Sequence, residues 1–138
     1  MYHRTEISTK EVERMIRERK REKGLDLLKK LQGGKVDEQQ ISNLAEVSPK
    51  MAEMVIEWVL GDLYQSREID LKTREWIILA VLITQGHWTQ VKAHVEAALN
   101  LGATRAEIVE MMNLTAIYAG FPAAVNALLA AKEVFTSE

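Results

Sequence analysis

The apolar residues of this 138-residue chain recur at intervals of three and four positions, and almost no stretch alternates apolar with polar residues. The first pattern places apolar side chains along one face of an α-helix, whereas strict alternation is typical of a half-buried strand. The chain is therefore predicted to be all-α. Capping residues, glycines and prolines divide it into about six or seven helices.

Local signals place several helix boundaries. Ser48 followed by Pro49 predicts a helix start, because serine caps a helix well and proline is tolerated in its first turn. Asp70 can cap a helix over residues 71–85 that ends at Gly86. Within it, residues 76–83 are apolar on every side, which predicts a buried central helix.

Further signals lie in the second half of the chain. A helix is expected over residues 88–100, and Thr104 with Glu107 forms a capping-box pattern that opens the next one. Gly120, Phe121 and Pro122 are expected to break the chain before a last helix that starts near residue 123.

The chain is expected to form one domain overall, with an N-terminal helical arm over residues 1–47 and a core over residues 48–138. The arm is heavily charged and has only a thin apolar stripe. It either forms a solvated face or lies across a neighbouring subunit. No internal repeat or linker separates further domains.

Composition excludes several classes of function. The chain has no cysteine, which rules out disulfides, thiolate catalysis and cysteine-ligated metals. Its formal net charge of −2 argues against nucleic acid or an anionic membrane as the main partner. The charged N-terminus does not resemble a signal peptide, and the longest apolar run is too short to cross a bilayer. A cytoplasmic location is therefore expected.

Glu75 is the most informative residue of the sequence. On a helix its neighbours three and four positions away are Leu71, Ile78 and Leu79, so this carboxylate lies within an apolar stripe. A buried carboxylate must be paired, hydrogen-bonded or protonated, and such groups gather at functional sites. Two interpretations remain: a proton-transfer group, or a structural salt bridge to Arg74 or to an arginine on another helix.

His94 is the second candidate. Its helical neighbours include Ala97 and Ala98, which leave space around the imidazole, and His87 and Gln90 lie along the same stripe. Histidine suits proton transfer near neutral pH. It could instead be a hydrogen-bonded packing residue. A metal site formed by His87, His94 and Glu75 is also conceivable, but no metal-binding motif supports it.

Tyr118 precedes the break at Gly120 and has an aromatic partner, Phe121, on the other side. A break with an aromatic residue on each side either walls a pocket or simply turns a corner.

Three blocks carry a family likeness. Residues 61–64 (GDLY) with 69–75 (IDLKTRE), residues 91–108 (VKAHVEAALNLGATRAEI) and residues 118–124 (YAGFPAA) stand in order and at suitable distances. They resemble the conserved segments of the carboxymuconolactone decarboxylase family. The likeness spans residue 48 to the C-terminus.

The resemblance implies an AhpD-like helical bundle that assembles as a homo-oligomeric ring, a hexamer of paired subunits. It implies no metal and no organic cofactor. The implied reaction is that of a lyase, which removes CO₂ from a small carboxylated lactone and leaves an enol-lactone. Loss of CO₂ moves electrons onto the lactone carbonyl, and the resulting dienolate needs stabilisation and a proton.

The resemblance also assigns roles. His94 would donate the proton or stabilise the enolate, and Glu75 would orient that histidine or shuttle the proton itself. Arg74 would hold a substrate carboxylate, or else be structural, since a guanidinium matches a carboxylate with two parallel hydrogen bonds. His87, Gln90 and Tyr118 are the further candidates for substrate binding.

Alkylhydroperoxidases of the AhpD type belong to the same wider superfamily, and they use two cysteines. Here His87 and Gln90 stand at the cysteine positions, so the sulfur mechanism is impossible. The alternative to an acid–base enzyme is therefore a non-catalytic oligomeric protein that binds a small ligand.

Overall fold

The structure, a computed structural model, describes residues 7–34 and 38–137. Its α-helices are α1 (Thr9–Leu31), α2 (Glu38–Val47), α3 (Pro49–Met54), α4 (Leu71–Gln85), α5 (Trp88–Asn100), α6 (Arg105–Ala119) and α7 (Phe121–Thr136). A π-helical segment, Val55–Leu60, continues α3, and a 3₁₀ turn follows at Leu63–Gln65. The described residues contain no strand, so the all-α prediction is confirmed.

The described residues form two compact units. The first unit contains residues 7–29 and 38–66, and the second contains residues 30–34 and 67–137. The division into an arm over residues 1–47 and a core over residues 48–138 stays a prediction.

In the first unit, the backbone of α1 packs directly against the backbone of the π-helical segment. A Cβ atom at Gly24 would collide with the carbonyl oxygen of Ile56, and one at Gly61 would collide with that of Lys20. Arg17 on α1 also pairs with both Glu53 and Glu57. Glycine at the two crossing points is what lets the helices approach so closely.

The second unit packs α4 against α5 and α6, and packs α7 against α5 and α6. Its core consists of buried aliphatic side chains and small residues, among them Leu79, Ile83, Val91, Val95, Ala98, Ile108, Met112, Ala127 and Ala131. Because alanines line the buried face of α7, that helix can lie close to its neighbours. Asn100 at the end of α5 donates a hydrogen bond to the Leu31 carbonyl oxygen at 2.7 Å.

The predicted boundaries of α4 and the predicted start of α6 are confirmed by their caps, and α5 covers the predicted residues 88–100. The Asp70 carboxylate accepts from the Thr73 backbone N–H at 2.8 Å, and Gly86 ends α4 in the left-handed conformation at φ +74°. Thr104 and Glu107 form the reciprocal capping box at the start of α6.

Two expectations were wrong. The last helix starts at Phe121, with Pro122 in its first turn, because Gly120 alone makes the corner at φ +97°. The apolar stretch of α4 is not buried on all sides, since Ile77 is 50% and Val81 49% exposed in the single chain. No helix among the described residues is long and apolar enough to cross a membrane.

Candidate active site

Glu75 lies in the first turns of α4, on the face that carries Leu79 and Ile83 into the core of the second unit. Its residue exposure is 0%, and it is the only buried charged residue in the described part of the chain. The predicted burial of this carboxylate is therefore confirmed. Since an isolated buried charge is strongly unfavourable, its partners decide what Glu75 can do.

The partner is His94. The imidazole Nδ1 lies 2.6 Å from the Glu75 Oε2 atom, a distance typical of a charge-assisted hydrogen bond. His94 lies on α5 between Val91 and Val95, which are both fully buried, and its own side chain keeps 22% of its surface exposed. The carboxylate and the imidazole thus come from consecutive helices and meet at the edge of the core.

This contact fixes the orientation of the ring. The carboxylate accepts a hydrogen bond from Nδ1–H, so Nε2 is the nitrogen that can reach a substrate. A neutral ring presents a proton acceptor at Nε2, and a protonated ring presents a proton donor there. With Nδ1 bonded to the carboxylate, the imidazole can accept or donate a proton only at Nε2.

The second carboxylate oxygen of Glu75 is unusual. Oε1 is buried and has no hydrogen-bond partner among the described residues. Leaving a buried acceptor unsatisfied costs about 1–3 kcal/mol, and native structures keep such groups rare. Oε1 is therefore a buried acceptor for which the described residues supply no donor.

Arg74 is anchored next to this pair. Its Nε atom donates to the Ile69 carbonyl oxygen at 2.9 Å, which ties the guanidinium to the chain just before α4. The side chain is partly exposed. The role of Arg74 in binding a substrate carboxylate stays a prediction.

The other predicted site residues are exposed in the single chain. His87 is the N-cap residue of α5 and makes no capping hydrogen bond with its side chain. Gln90 lies one turn before His94 on the same helix, and Tyr118, at the end of α6, is 93% exposed. The structure thus joins Glu75 to His94, whereas Tyr118 lines no enclosed cavity of the single chain. The binding roles of these three residues stay predictions.

The sequence analysis missed one contact that helps to hold the site. Lys72, one turn before Glu75, pairs with Glu107 at 3.0 Å and so links the first turns of α4 and α6. The two residues are 35 positions apart, so no helical spacing could predict their contact. The only signal in the sequence is that both belong to the blocks that resemble the family. Within the described residues, no group of three or more histidine or acidic side chains could hold a metal ion.

Comparison with known proteins identifies the family of this chain. The described residues form an all-helical protein, and two of its similar relatives are named as decarboxylases. The family model described as "Carboxymuconolactone decarboxylase family" matches residues 49–133. The protein belongs to the carboxymuconolactone decarboxylase family, and the predicted resemblance is confirmed.

Individual relatives are more distant. A nitrosuccinic acid decarboxylase of Metarhizium robertsii is 28% identical over 108 residues, which cover 78% of this chain and 76% of the relative. A 4-carboxymuconolactone decarboxylase of Acinetobacter baylyi is 26% identical over 118 residues, or 86% of this chain and 88% of the relative. An uncharacterized protein of Methanocaldococcus jannaschii is 32% identical over 73 residues, or 53% and 68%.

Proposed function

We propose that the protein is a decarboxylase that uses acid–base chemistry, without a cofactor, on a small carboxylated lactone or a related dicarboxylate. The observation that carries the proposal is the 2.6 Å contact between the buried Glu75 carboxylate and the partly exposed His94 imidazole. This pair supplies one proton at one directed atom, which is what the second half of a decarboxylation needs.

The chemistry on a carboxymuconolactone follows from this arrangement. The bond between the ring carbon and its carboxylate breaks, and CO₂ leaves. The electron pair of that bond passes through the ring double bond to the lactone carbonyl oxygen and gives a dienolate. Protonated His94 then delivers the Nε2 proton to carbon, which restores the carbonyl and yields an enol-lactone. Atoms and charge balance without any oxidant.

Glu75 has two possible parts in this sequence. As a carboxylate, it holds the ring through Nδ1 and stabilises the imidazolium before the proton is transferred. Alternatively, it passes a proton through Nδ1 to restore the histidine afterwards. Arg74 is the proposed partner of a substrate carboxylate, and His87, Gln90 and Tyr118 are proposed to contact the rest of the substrate.

The names of two relatives narrow the substrate class. Nitrosuccinic acid and 4-carboxymuconolactone are both small dicarboxylic acids with an electron-withdrawing group, either a nitro group or an unsaturated lactone. In both, the electrons released with CO₂ can move onto oxygen. We infer that this protein acts on a dicarboxylate that carries such an electron acceptor, and that both compounds are suitable test substrates.

The test measures CO₂ release and ultraviolet loss of substrate with the purified wild type and with His94→Ala and Glu75→Gln. Removing a positioned acid–base group should lower kcat about 10²–10⁴-fold. Glu75→Gln keeps an acceptor for Nδ1–H but removes the charge, so it isolates the electrostatic part. Glu96→Gln makes the same change at an exposed position on α5 and should stay within about twofold of the wild type.

Folded wild-type protein without turnover of either compound would overturn the proposal and favour the non-catalytic ligand-binding alternative. Full activity of His94→Ala would remove His94 from the mechanism.

We further propose that copies of the chain associate into a hexamer and that the protein acts in the cytoplasm. The family resemblance supports the first. The absence of cysteine and the small net charge are compatible with the second.

A further inference from the structure

The small net charge of the chain conceals a separation of charge along the sequence. The helix α1 contains nine basic and five acidic residues, a net charge of +4, so the rest of the chain has −6. Six of the nine basic residues lie within the ten positions 14–23, and four of those six are arginines. Basic residues clustered along one helix are the usual electrostatic signature of a site for an anionic partner.

Four basic residues of α1 share one side of the helix. Lys10, Arg14, Arg17 and Arg21 follow one another at intervals of four, three and four, which aligns them over about 16 Å of the helix axis. All four are exposed, and they line a groove of about 320 Å³ in the first unit. These four residues are called the basic stripe below.

The two ends of the basic stripe have no anionic partner. The side chains of Lys10 and Arg21 form no ion pair or hydrogen bond with other described residues. In the middle, Arg17 pairs with Glu57 and still keeps 63% of its side chain exposed. Since a guanidinium has five N–H donors, both ends of the stripe and part of its middle are available to an external anion.

Acidic side chains also line the groove and limit how tightly it can bind. Glu13, Glu18 and Glu57 stand against the four cations of the stripe. Glu57 is paired with Arg17, and Glu18 lies 3.7 Å from Arg14. The groove therefore has a surplus of one positive charge, and we expect a weak contact that depends strongly on salt.

The chemistry of the groove selects the kind of anion. Every side chain that lines it is a lysine, an arginine or a glutamate, whereas a protein partner is normally anchored by apolar and aromatic side chains. The helix α1 has no aromatic residue on which the bases of a single strand could stack, and no asparagine or glutamine to pair with adenine. A helix that lies on a membrane would also be expected to carry aromatic anchors.

A nucleic-acid duplex meets these conditions, because its phosphates lie on the outside and can be bound by cations alone. Over the length of the stripe, about 16 Å, each strand presents roughly five phosphates, enough for every cation to meet one. Arginine matches a phosphate with two parallel hydrogen bonds. We propose that the basic stripe binds the phosphate backbone of a nucleic-acid duplex without reading its sequence. This inference does not depend on the proposed decarboxylation.

The test measures the fluorescence anisotropy of a labelled DNA duplex of about 20 base pairs with the full chain, between about 20 and 150 mM KCl. The logarithm of the wild-type association constant should fall with the logarithm of the KCl concentration at a slope of about −3 to −4, since each phosphate contact contributes about −0.9. An RNA duplex of the same sequence, measured in parallel, shows which of the two duplexes binds more tightly.

A pair of double variants separates the stripe from the overall charge. Lys10→Glu with Arg21→Glu reverses the two unpaired cations, so it should weaken binding at low salt at least about tenfold and reduce the size of the slope by about 2. Arg67→Glu with Lys132→Glu makes the same change in net charge at exposed positions of the second unit. This control should stay within about threefold of the wild type. Circular dichroism must show wild-type helix content for both.

Four outcomes would overturn the inference. Wild-type protein that leaves the anisotropy unchanged at the lowest salt would reject duplex binding. Equal weakening by both double variants would show that net charge acts rather than the stripe. Tighter binding to a single strand, or to phosphatidylglycerol vesicles, would reject the duplex as the partner. Affinities that differ more than about tenfold between duplexes of unrelated sequence would contradict a contact with the backbone alone.

Discussion

At the scale of single residues, the Glu75–His94 pair is the contact on which the proposed function depends. The carboxylate is fully buried and has only one of its oxygens hydrogen-bonded among the described residues, while the imidazole reaches the surface. A pair arranged in this way is a poor stabiliser, because removing the carboxylate from water is expensive and only one hydrogen bond compensates. In the proposed mechanism the pair instead directs a proton to Nε2 of His94.

This argument makes a prediction about stability. The double variant Glu75→Leu, His94→Leu should have a free energy of unfolding equal to that of the wild type or higher by about 1–4 kcal/mol. The reason is that apolar side chains replace a poorly compensated polar pair. Decarboxylase activity should disappear. Urea unfolding at pH 7 measures the first and CO₂ release the second. The single variants belong in the same series, so that the coupling between the two residues can be extracted.

A double variant less stable than the wild type by more than about 2 kcal/mol would contradict this prediction, since a poorly compensated pair cannot contribute that much to the free energy of unfolding.

At the scale of elements, α4 is the helix that positions the site. Asp70 caps it, the Lys72–Glu107 pair ties its first turn to α6, and Arg74 is anchored to the Ile69 carbonyl oxygen. All three contacts lie within one or two turns of Glu75. They restrict how far the carboxylate can move relative to His94, which matters because proton transfer depends closely on distance.

The cap of α4 should depend on pH. The Thr73 backbone N–H and hydroxyl, both donating to the Asp70 carboxylate, hold the pKa of Asp70 below its ordinary value. Because the folded-state pKa lies below the unfolded one, this stabilisation is complete above about pH 4 and is lost as the pH falls through the folded-state pKa. Asp70→Asn keeps a capping side chain that does not titrate.

Thermal unfolding of both proteins between pH 7 and pH 3 checks this. The Tm advantage of the wild type over Asp70→Asn should shrink steadily below about pH 4, since all other carboxyl groups are common to both proteins. A difference in Tm that stays constant with pH would show that the charge of Asp70 contributes nothing to the cap.

The crossing of α1 with the π-helical segment gives a second prediction at this scale. Gly→Ala inside a helix normally stabilises a protein by about 0.5–1 kcal/mol. At Gly24 a methyl group would collide with the Ile56 carbonyl oxygen, so Gly24→Ala should instead destabilise by about 1–3 kcal/mol. Lys23→Ala, at the exposed neighbouring position, is the control and should be close to neutral. Chemical denaturation that found Gly24→Ala stabilised would contradict the close crossing.

At the scale of the whole molecule, the chain combines the Glu75–His94 contact with apolar side chains on α6 and α7 that are exposed in a single copy. The match over residues 49–133 shows the family, and the two relatives named as decarboxylases act, by their names, on different acids. Residues 111–131 of α6 and α7 include no charged side chain, although several of their large apolar side chains are exposed in a single copy. Assembly and catalysis are thus two separate proposals for one chain.

The sequence by itself determined the elements that have local signals. The helices α4 and α5 begin and end where Asp70, Gly86 and the apolar spacing place them, because caps and periodicity involve residues only a few positions apart. The sequence also singled out Glu75, since a carboxylate within an apolar stripe is visible from its helical neighbours. It misplaced the start of α7, because glycine and proline both signal a break and only backbone geometry shows that Gly120 makes the corner alone.

Only the tertiary structure decided the contacts between distant residues. Glu75 and His94 are 19 positions apart, Lys72 and Glu107 35, and Leu31 and Asn100 69, and no periodicity encodes which side chains meet over such distances. The packing of helices also decided which apolar faces enter the core, leaving Ile77, Val81 and Phe121 outside it. A sequence shows that a face is apolar, but burial depends on what the folded neighbours cover.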